Sequence, residues 1–371
     1  MNREFDRSNV RHFPLDERYS KIDIMESFVR EGQFEDELTP DMAERLEKIA
    51  DEIVHARERN AAVICAFGAH TIKNGMGKIL GAFLRHGWFT HLATNGAGVI
   101  HDWEFAYHGK SSEDVRENVQ VGKFGTWEET GLYINLALAV GAYEGLGYGA
   151  SVGSLISRNG LDIPGEDELQ SVISSPREEL WRRAAAADLL DLLGELDIAA
   201  GFLAVAHPCA EYSVQAAAFD IGVPFTSHPM FGHDIIYTHR ANKGAAVGRT
   251  AERDFLAYAR SVSELEGGVY LSVGSAVMSP MIFEKSLSMA RNVNAKKGRD
   301  IRNCGIHVID LQPETWDWSM GEPPADNPAY YLRFMKTFNR MGCPVDYTSA
   351  DNRVYLTGLY RALNKRSRHE G

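Results

Sequence analysis

The sequence predicts an α/β fold whose parallel sheet carries helices on both faces, with N-terminal helices and a helical layer in mid-chain. Three observations point to it. Short, nearly continuous apolar runs recur along the chain, as strands covered on both sides would require. Helical stretches separate several of them, and strand–helix alternation implies right-handed parallel crossovers. Glycines and small polar residues gather where the apolar runs stop. The 371 residues, 44% hydrophobic and 24% charged, suit one large domain over 1–371, and no linker divides them. Residues 1–20 read as a polar arm and 364–371 as a charged tail.

Two helical patterns follow the arm. The second, "TPDMAERLEKIADEIVHARERN", has Thr39 as N-cap and Pro40 at its first helical position. Met42, Leu46, Ile49, Ile53 and Val54 recur on one face of it. "AAVICAF" is the first buried strand. A helix from about Thr71 to His86 leads to the strand "FTHLAT", a glycine turn and another helix. "GFLAVAHP", "VPFTS", "GGVYLSVG" and "IHVIDLQP" repeat the strand pattern. Between them lie the helices "SVQAAAFDIG", "AERDFLAYARSVSEL" and "SPMIFEKSLSMARN", the last capped by Ser279 and Pro280. The stretch from Thr126 to about Leu193 is mostly helical, and Thr126 with Glu129 has capping-box spacing.

A net charge of -12 argues against a nucleic-acid partner, which needs a basic footprint. There is no signal-peptide pattern and no run long enough to span a membrane, so a cytoplasmic location is expected. Four cysteines form no CxxC pair, which removes zinc ribbons and thioredoxin motifs. Cys65 and Cys304 sit in or beside apolar runs and read as buried, inert thiols.

Ligands of an open parallel sheet bind at the carboxyl ends of its strands. Those ends read "GAHTIKNG", "TNGAGVIHDWE", "CAE", "HPMFGHD", "GSAVMSP" and "QPETWDW". Small residues admit a ligand close to the backbone, and helix N-termini after such turns favour phosphate. His70, His101 and His233 all fall at strand ends. The full dinucleotide fingerprint is absent, since "TNGAGVI" lacks its third glycine.

In their shared order these segments resemble deoxyhypusine synthase, and more closely the bacterial deoxyhypusine synthase-like proteins. "AAVICAFGAHTIKNGMGKILGAFLRHGWFTHLATNGAGVIHDWE", "VPFTSHPMFGHDII", "GGVYLSVGSAVMSP", "IHVIDLQPE" and "DYTSADNRVYL" carry the likeness. The resemblance implies a Rossmann-like fold, a homotetramer and NAD as cofactor. It places His70, Thr94, Asn95, Gly96, Ala97, Gly274, Ser275 and Asp351 on the cofactor. It places His101, Asp102, Asp234 and Glu314 at the reacting end. The family's lysine motif is missing, and Lys336 is the nearest lysine to its place. Without that lysine, transfer through an imine to a protein lysine loses its covalent step.

The expected function is therefore NAD-dependent chemistry on a small-molecule amine or polyamine. The carboxylates would hold cationic nitrogens and His101 would act as acid or base. Two alternatives stand beside it. One is a metal-dependent hydrolase or lyase using His70, His101, His233 and Asp234. The other is a non-catalytic NAD-binding module.

Overall fold

A computed structural model describes residues 5–367, so the ends of the predicted arm and tail, 1–4 and 368–371, lie outside the described residues. The chain forms two compact units, each assembled from separate segments.

The sheet unit comprises Phe28–Gly98, Ile221–His228 and the chain from Phe255 onward. Its six strands are β1 (Val63–Phe67), β2 (His91–Thr94), β3 (Phe225–Ser227), β4 (Val269–Val273), β5 (Gly305–Asp310) and β6 (Val345–Ser349). They are all parallel and lie in the order β6-β5-β4-β1-β2-β3. This is the Rossmann order, with its topological switch between β1 and β4. The sequence reading finds every strand but β6, whose "VDYTS" has too few apolar residues to announce itself.

Both faces of the sheet are covered, and strand periodicity shows how. Ile64 and Ala66 of β1 join Tyr258, Val262, Phe283, Leu287 and Phe338 in one apolar cluster. Val63, Cys65 and Phe67 alternate with them and are equally buried. Helix Pro40–Glu58 keeps the predicted start: Thr39 Oγ1 accepts the Met42 N–H at 3.2 Å, with Pro40 in the first turn. It packs on helix Asn352–Ser367 beside Gly358, where an added Cβ would lie 2.6 Å from Leu46. Lys365 and Arg366, from the predicted charged tail, pair with Glu47 and Asp51 of that same helix.

Four local expectations change. The first N-terminal helical pattern shrinks to one turn, Ile24–Ser27. The helix expected from Thr71 to His86 is broken into Ala69–Lys73 and Gly77–Arg85, with Gly75 at φ +76° between them. Ser279 and Pro280 lie inside helix Met278–Ala295, and the Ser279 N–H is accepted by Ser275 Oγ instead. The strand in "GFLAVAHP", Gly201–Ala204, is largely exposed and pairs antiparallel with Gly160–Ile163, outside the parallel sheet.

The helical unit comprises residues 5–27, Val99–Asp220 and Pro229–Asp254. Its helices include Glu128–Glu144, Tyr148–Arg158, Glu166–Ser174 and Leu180–Leu196, the predicted mid-chain layer. Thr126 does not cap the first of these; its hydroxyl donates to the Lys123 carbonyl, while Glu129 accepts the Leu15 N–H. The arm is polar because it is bonded: Arg7 donates to the Tyr237 and Asn242 carbonyls and to Asn242 Oδ1.

In the sheet unit His307 of β5 sits 2.8 Å from Glu52 and 3.9 Å from Asp346. Burial disfavours its cation, but the two carboxylates outweigh burial and raise the pKa to about 9. A raised folded pKa gives stability that is complete below the unfolded value, about 6.5, and is lost as pH climbs through about 9. Urea melts from pH 6 to 10 should therefore show a decline on the order of 2 kcal/mol, and His307→Gln should flatten it.

Candidate functional site

In a sheet of Rossmann order the ligand crevice lies beyond the carboxyl ends of the strands. A cleft of about 430 Å³ opens there, lined by His70, Asn74, Gly274, Asp310, Asp351 and Arg353 among others. His70 follows β1, Gly274 follows β4, Asp310 ends β5, and Asp351 follows β6.

Two glycines shape the inner wall. Gly68 packs so closely on the loop after β4 that an added Cβ would sit 2.1 Å from the Gly274 carbonyl oxygen. Gly274 itself adopts φ +55°, a left-handed turn that glycine makes without strain. That turn leads into the 18-residue helix Met278–Ala295.

The polar groups of the cleft divide into engaged and available ones. Asp351 starts helix Asn352–Ser367, accepting the Arg353 N–H at 2.8 Å and both arms of the Arg353 guanidinium. The Arg353 hydrogen bonds hold its pKa below the usual carboxylate range against burial. Asn74 and Asn352 bond each other at 3.0 Å. Asp310 accepts the Gln312 N–H through Oδ1. His70 is exposed at the rim, and partial burial with the nearby Lys73 lowers its pKa.

Of the predicted cofactor residues, His70, Gly274 and Asp351 meet in this cleft. Ser275 stands next to it as the partner of Ser279 N–H. Thr94 ends β2 and Asn95, Gly96 and Ala97 follow it, and none of the four is among the residues lining the cleft. The Thr94 hydroxyl donates to the Phe67 carbonyl at 2.9 Å, and Asn95 Oδ1 accepts the Gly98 N–H at the start of helix Gly96–His108. Glu314 pairs with Arg45 at 3.5 Å. Lys336 lies over the Tyr330 ring at 3.6 Å and pairs with Glu322, away from the cleft lining. Asp310, Asn74, Asn352 and Arg353 were missed. Asp310 closes a recognised strand, so the strand-end rule had the signal for it; the last two follow the unrecognised β6.

"HDWE" lies within helix Gly96–His108 rather than in a loop. In the helical unit Asp102 is buried and accepts from Ser213, Val214 and Gln215, capping helix Val214–Ile221. Burial raises its pKa against those donors. Glu104 is buried with Arg18 in a two-pronged pair at 2.6 and 2.8 Å, and Thr130 and Ser111 also donate to it. His101 Nδ1 meets the Ser111 hydroxyl at 2.7 Å. Burial would raise the Glu104 pKa, but Arg18 holds it below the ordinary value. These residues form a structural network. Asp234 is half-buried, bonded by the Tyr237 hydroxyl at 3.2 Å, and burial pushes its pKa up to about 6.

The predicted metal set is not gathered. Within the helical unit His101, His233 and Asp234 form no group with ligand spacing, and His70 belongs to the sheet unit. Among the described residues the group that has such spacing is His12, Glu128 and His239, with ligand atoms within 4.8 Å. His239 Nδ1 accepts the Ala241 N–H at 3.0 Å, which leaves the proton on Nε2, the nitrogen facing Glu128. That nitrogen lies 3.3 Å from Glu128, and neither it nor His12 Nε2 has a hydrogen-bond partner among the described residues.

No known protein family matches the chain, and no curated protein is similar to it in sequence. Solved structures align with it over most of its length. AgrE, solved with ornithine and NAD+, is 14% identical with a TM-score of 0.44, over 90% of this chain and 34% of AgrE. ArgZ, an arginine dihydrolase from the ornithine–ammonia cycle in Cyanobacteria, is 14% identical with a TM-score of 0.44, over 90% and 33%. A protein described as LOR/SDH from Methanococcus maripaludis is 11% identical with a TM-score of 0.43, over 92% and 73%. The chain thus spans about one third of the length of AgrE and ArgZ. Overlap at this level assigns neither substrate nor cofactor.

These neighbours are arginine dihydrolase-like and LOR/SDH proteins, not deoxyhypusine synthases, and the resemblance drawn from the sequence is corrected accordingly. Its motifs were strand, glycine turn and helix in series, a pattern that any parallel α/β sheet repeats. No helix among the described residues is long and apolar enough to cross a membrane.

The Arg18–Glu104 pair gives a sharp test of the structural reading of "HDWE". Arg18→Met leaves a buried carboxylate without its cation and should cost about 3–5 kcal/mol in a urea melt. Because the Glu104 pKa is depressed, wild-type stability from this pair is present above the unfolded carboxyl value and fades as pH falls below it.

Proposed function

We propose that the chain is an NAD-dependent enzyme acting on a small amine or amino acid, with its cofactor in the cleft of the sheet unit. One observation carries this reading: His70, Gly274, Asp310 and Asp351, from four different strand ends, line one cleft on the ligand-binding edge of a sheet in Rossmann order.

The residues fit a dinucleotide. The Gly274 turn lets the backbone approach a phosphate, and the helix that follows presents its positive end to it. Asp310 has an oxygen with which to accept from a ribose hydroxyl, the role an acidic strand-end residue takes in such sheets. Asp351 is already held by Arg353, so it shapes that wall and adds negative charge. NAD would supply hydride acceptance when bound. Two carboxylates in the cleft lining, against one paired guanidinium, favour a cationic amine over an anionic substrate. His70, whose pKa is lowered, can accept a proton from that amine at the rim.

Calorimetric titration of the full chain with NAD tests the proposal. Micromolar binding is expected, and Asp310→Asn should weaken it by about 10-fold, or 1.4 kcal/mol. Wild-type protein that binds no NAD would refute the reading. Binding without turnover across a panel of amines and amino acids would reduce the protein to a cofactor-binding module.

A further inference from the structure

At the opposite edge of the sheet from the cleft, two cysteines that are distant in sequence come together. Cys304 directly precedes β5, and Cys343 lies two residues before β6. Val345 is the parallel partner of Ile306, so each cysteine stands two residues ahead of a paired position. Neighbouring strands run about 4.8 Å apart, within the Cα separation that a disulfide accepts. Both are free thiols, and Cys304 Sγ donates to Cys343 Sγ at 2.6 Å. Cys304 is buried, as expected from the sequence, with Cys343 as its neighbour.

The surroundings make the two thiols unequal. Cys343 Sγ lies 3.7 Å from the Arg291 guanidinium and keeps a trace of exposure, 8%, whereas Cys304 has none. The Cys304 hydrogen bond lowers the Cys343 thiol to about 7, helped by Arg291 and opposed by burial, and the shared proton rests on Cys304. A cleft of about 360 Å³ reaches Cys304, and Glu52, His55, Arg59, Asn303 and Pro344 also line it. Arg59 gives its lining one guanidinium for a carboxylate of a small disulfide, alongside the Glu52 carboxylate.

We infer that Cys304 and Cys343 form a redox-active dithiol that closes to a disulfide by exchange with a small disulfide such as oxidised glutathione. The Cys343 thiolate attacks one glutathione sulfur; the glutathione S–S bond breaks, and one glutathione leaves as a thiolate that takes up the proton Cys343 gave up. Cys304 then loses its proton, attacks the Cys343 sulfur of the mixed disulfide, and expels the second glutathione, which takes up that proton. Two protein thiols are oxidised and one glutathione disulfide is reduced to two thiols. The product ties the entry of β5 to the entry of β6, a loop that neither strand's backbone pairing closes covalently.

The test uses the full chain, treated with oxidised glutathione, quenched by alkylation and mapped by mass spectrometry. Half-exposed Cys209 serves as the internal comparator. The expected result is a mass reduced by two hydrogens at this pair and a crosslinked Cys304–Cys343 peptide, reversed by dithiothreitol. Cys304→Ser should trap glutathione on Cys343, while Cys343→Ser should leave Cys304 unmodified. A wild-type chain that keeps glutathione on Cys343, or whose two thiols stay alkylatable after Cys209 has reacted fully, would overturn the inference.

Discussion

The near-contact of two backbones at the switch point, Gly68 against the Gly274 carbonyl, is the constraint on which the cleft depends. β1 and β4 are neighbours in the sheet although some 200 residues of chain separate them, and their exit loops must pass each other there. With no Cβ at position 68 the loops close against one another, and Gly274 itself lines the cleft. Any side chain at Gly68 would force the two loops apart, and the inner wall of the cleft with them.

Around that junction the sheet unit is held as parallel sheets must be, by covering both faces. Alternate residues of β1 supply both apolar layers, and helices Pro40–Glu58 and Asn352–Ser367 lock together with charged ends that pair across them. The helical unit solves a different problem. It buries several charged and polar groups, among them Arg18, Glu104, Asp102 and His239, and it does so by giving each a partner. Burial without those partners would cost several kcal/mol per ion, which is why polar residues in mid-helix look like chemistry when only their spacing is visible.

That ambiguity lies behind the sequence-based expectations for "HDWE" and Lys336. His101, Asp102 and Glu104 follow a strand and a glycine turn, as catalytic residues often do. They sit one to three turns into a helix, where they bond Ser111, the start of helix Val214–Ile221 and Arg18 of the arm. Lys336 fell near the place of a catalytic lysine, but Tyr330 and Glu322 hold it. The deoxyhypusine synthase likeness failed for the same reason: it matched the rhythm of a fold, and rhythm is shared by unrelated parallel sheets.

By itself the sequence determined five of the six parallel strands, most of the long helices, the Thr39 cap and the edge of the sheet where the cleft opens. Apolar runs, helical spacing and capping residues are local signals, and each is written in consecutive residues. It also named His70, Gly274 and Asp351, because a residue at a strand end is visible as such. Only the tertiary structure decided which strand ends converge, that β6 joins the sheet, that "GFLAVAHP" leaves it, and that Cys304 meets Cys343. Those outcomes depend on strand order and register, which pair residues tens to hundreds of positions apart through backbone hydrogen bonds that carry no side-chain signature.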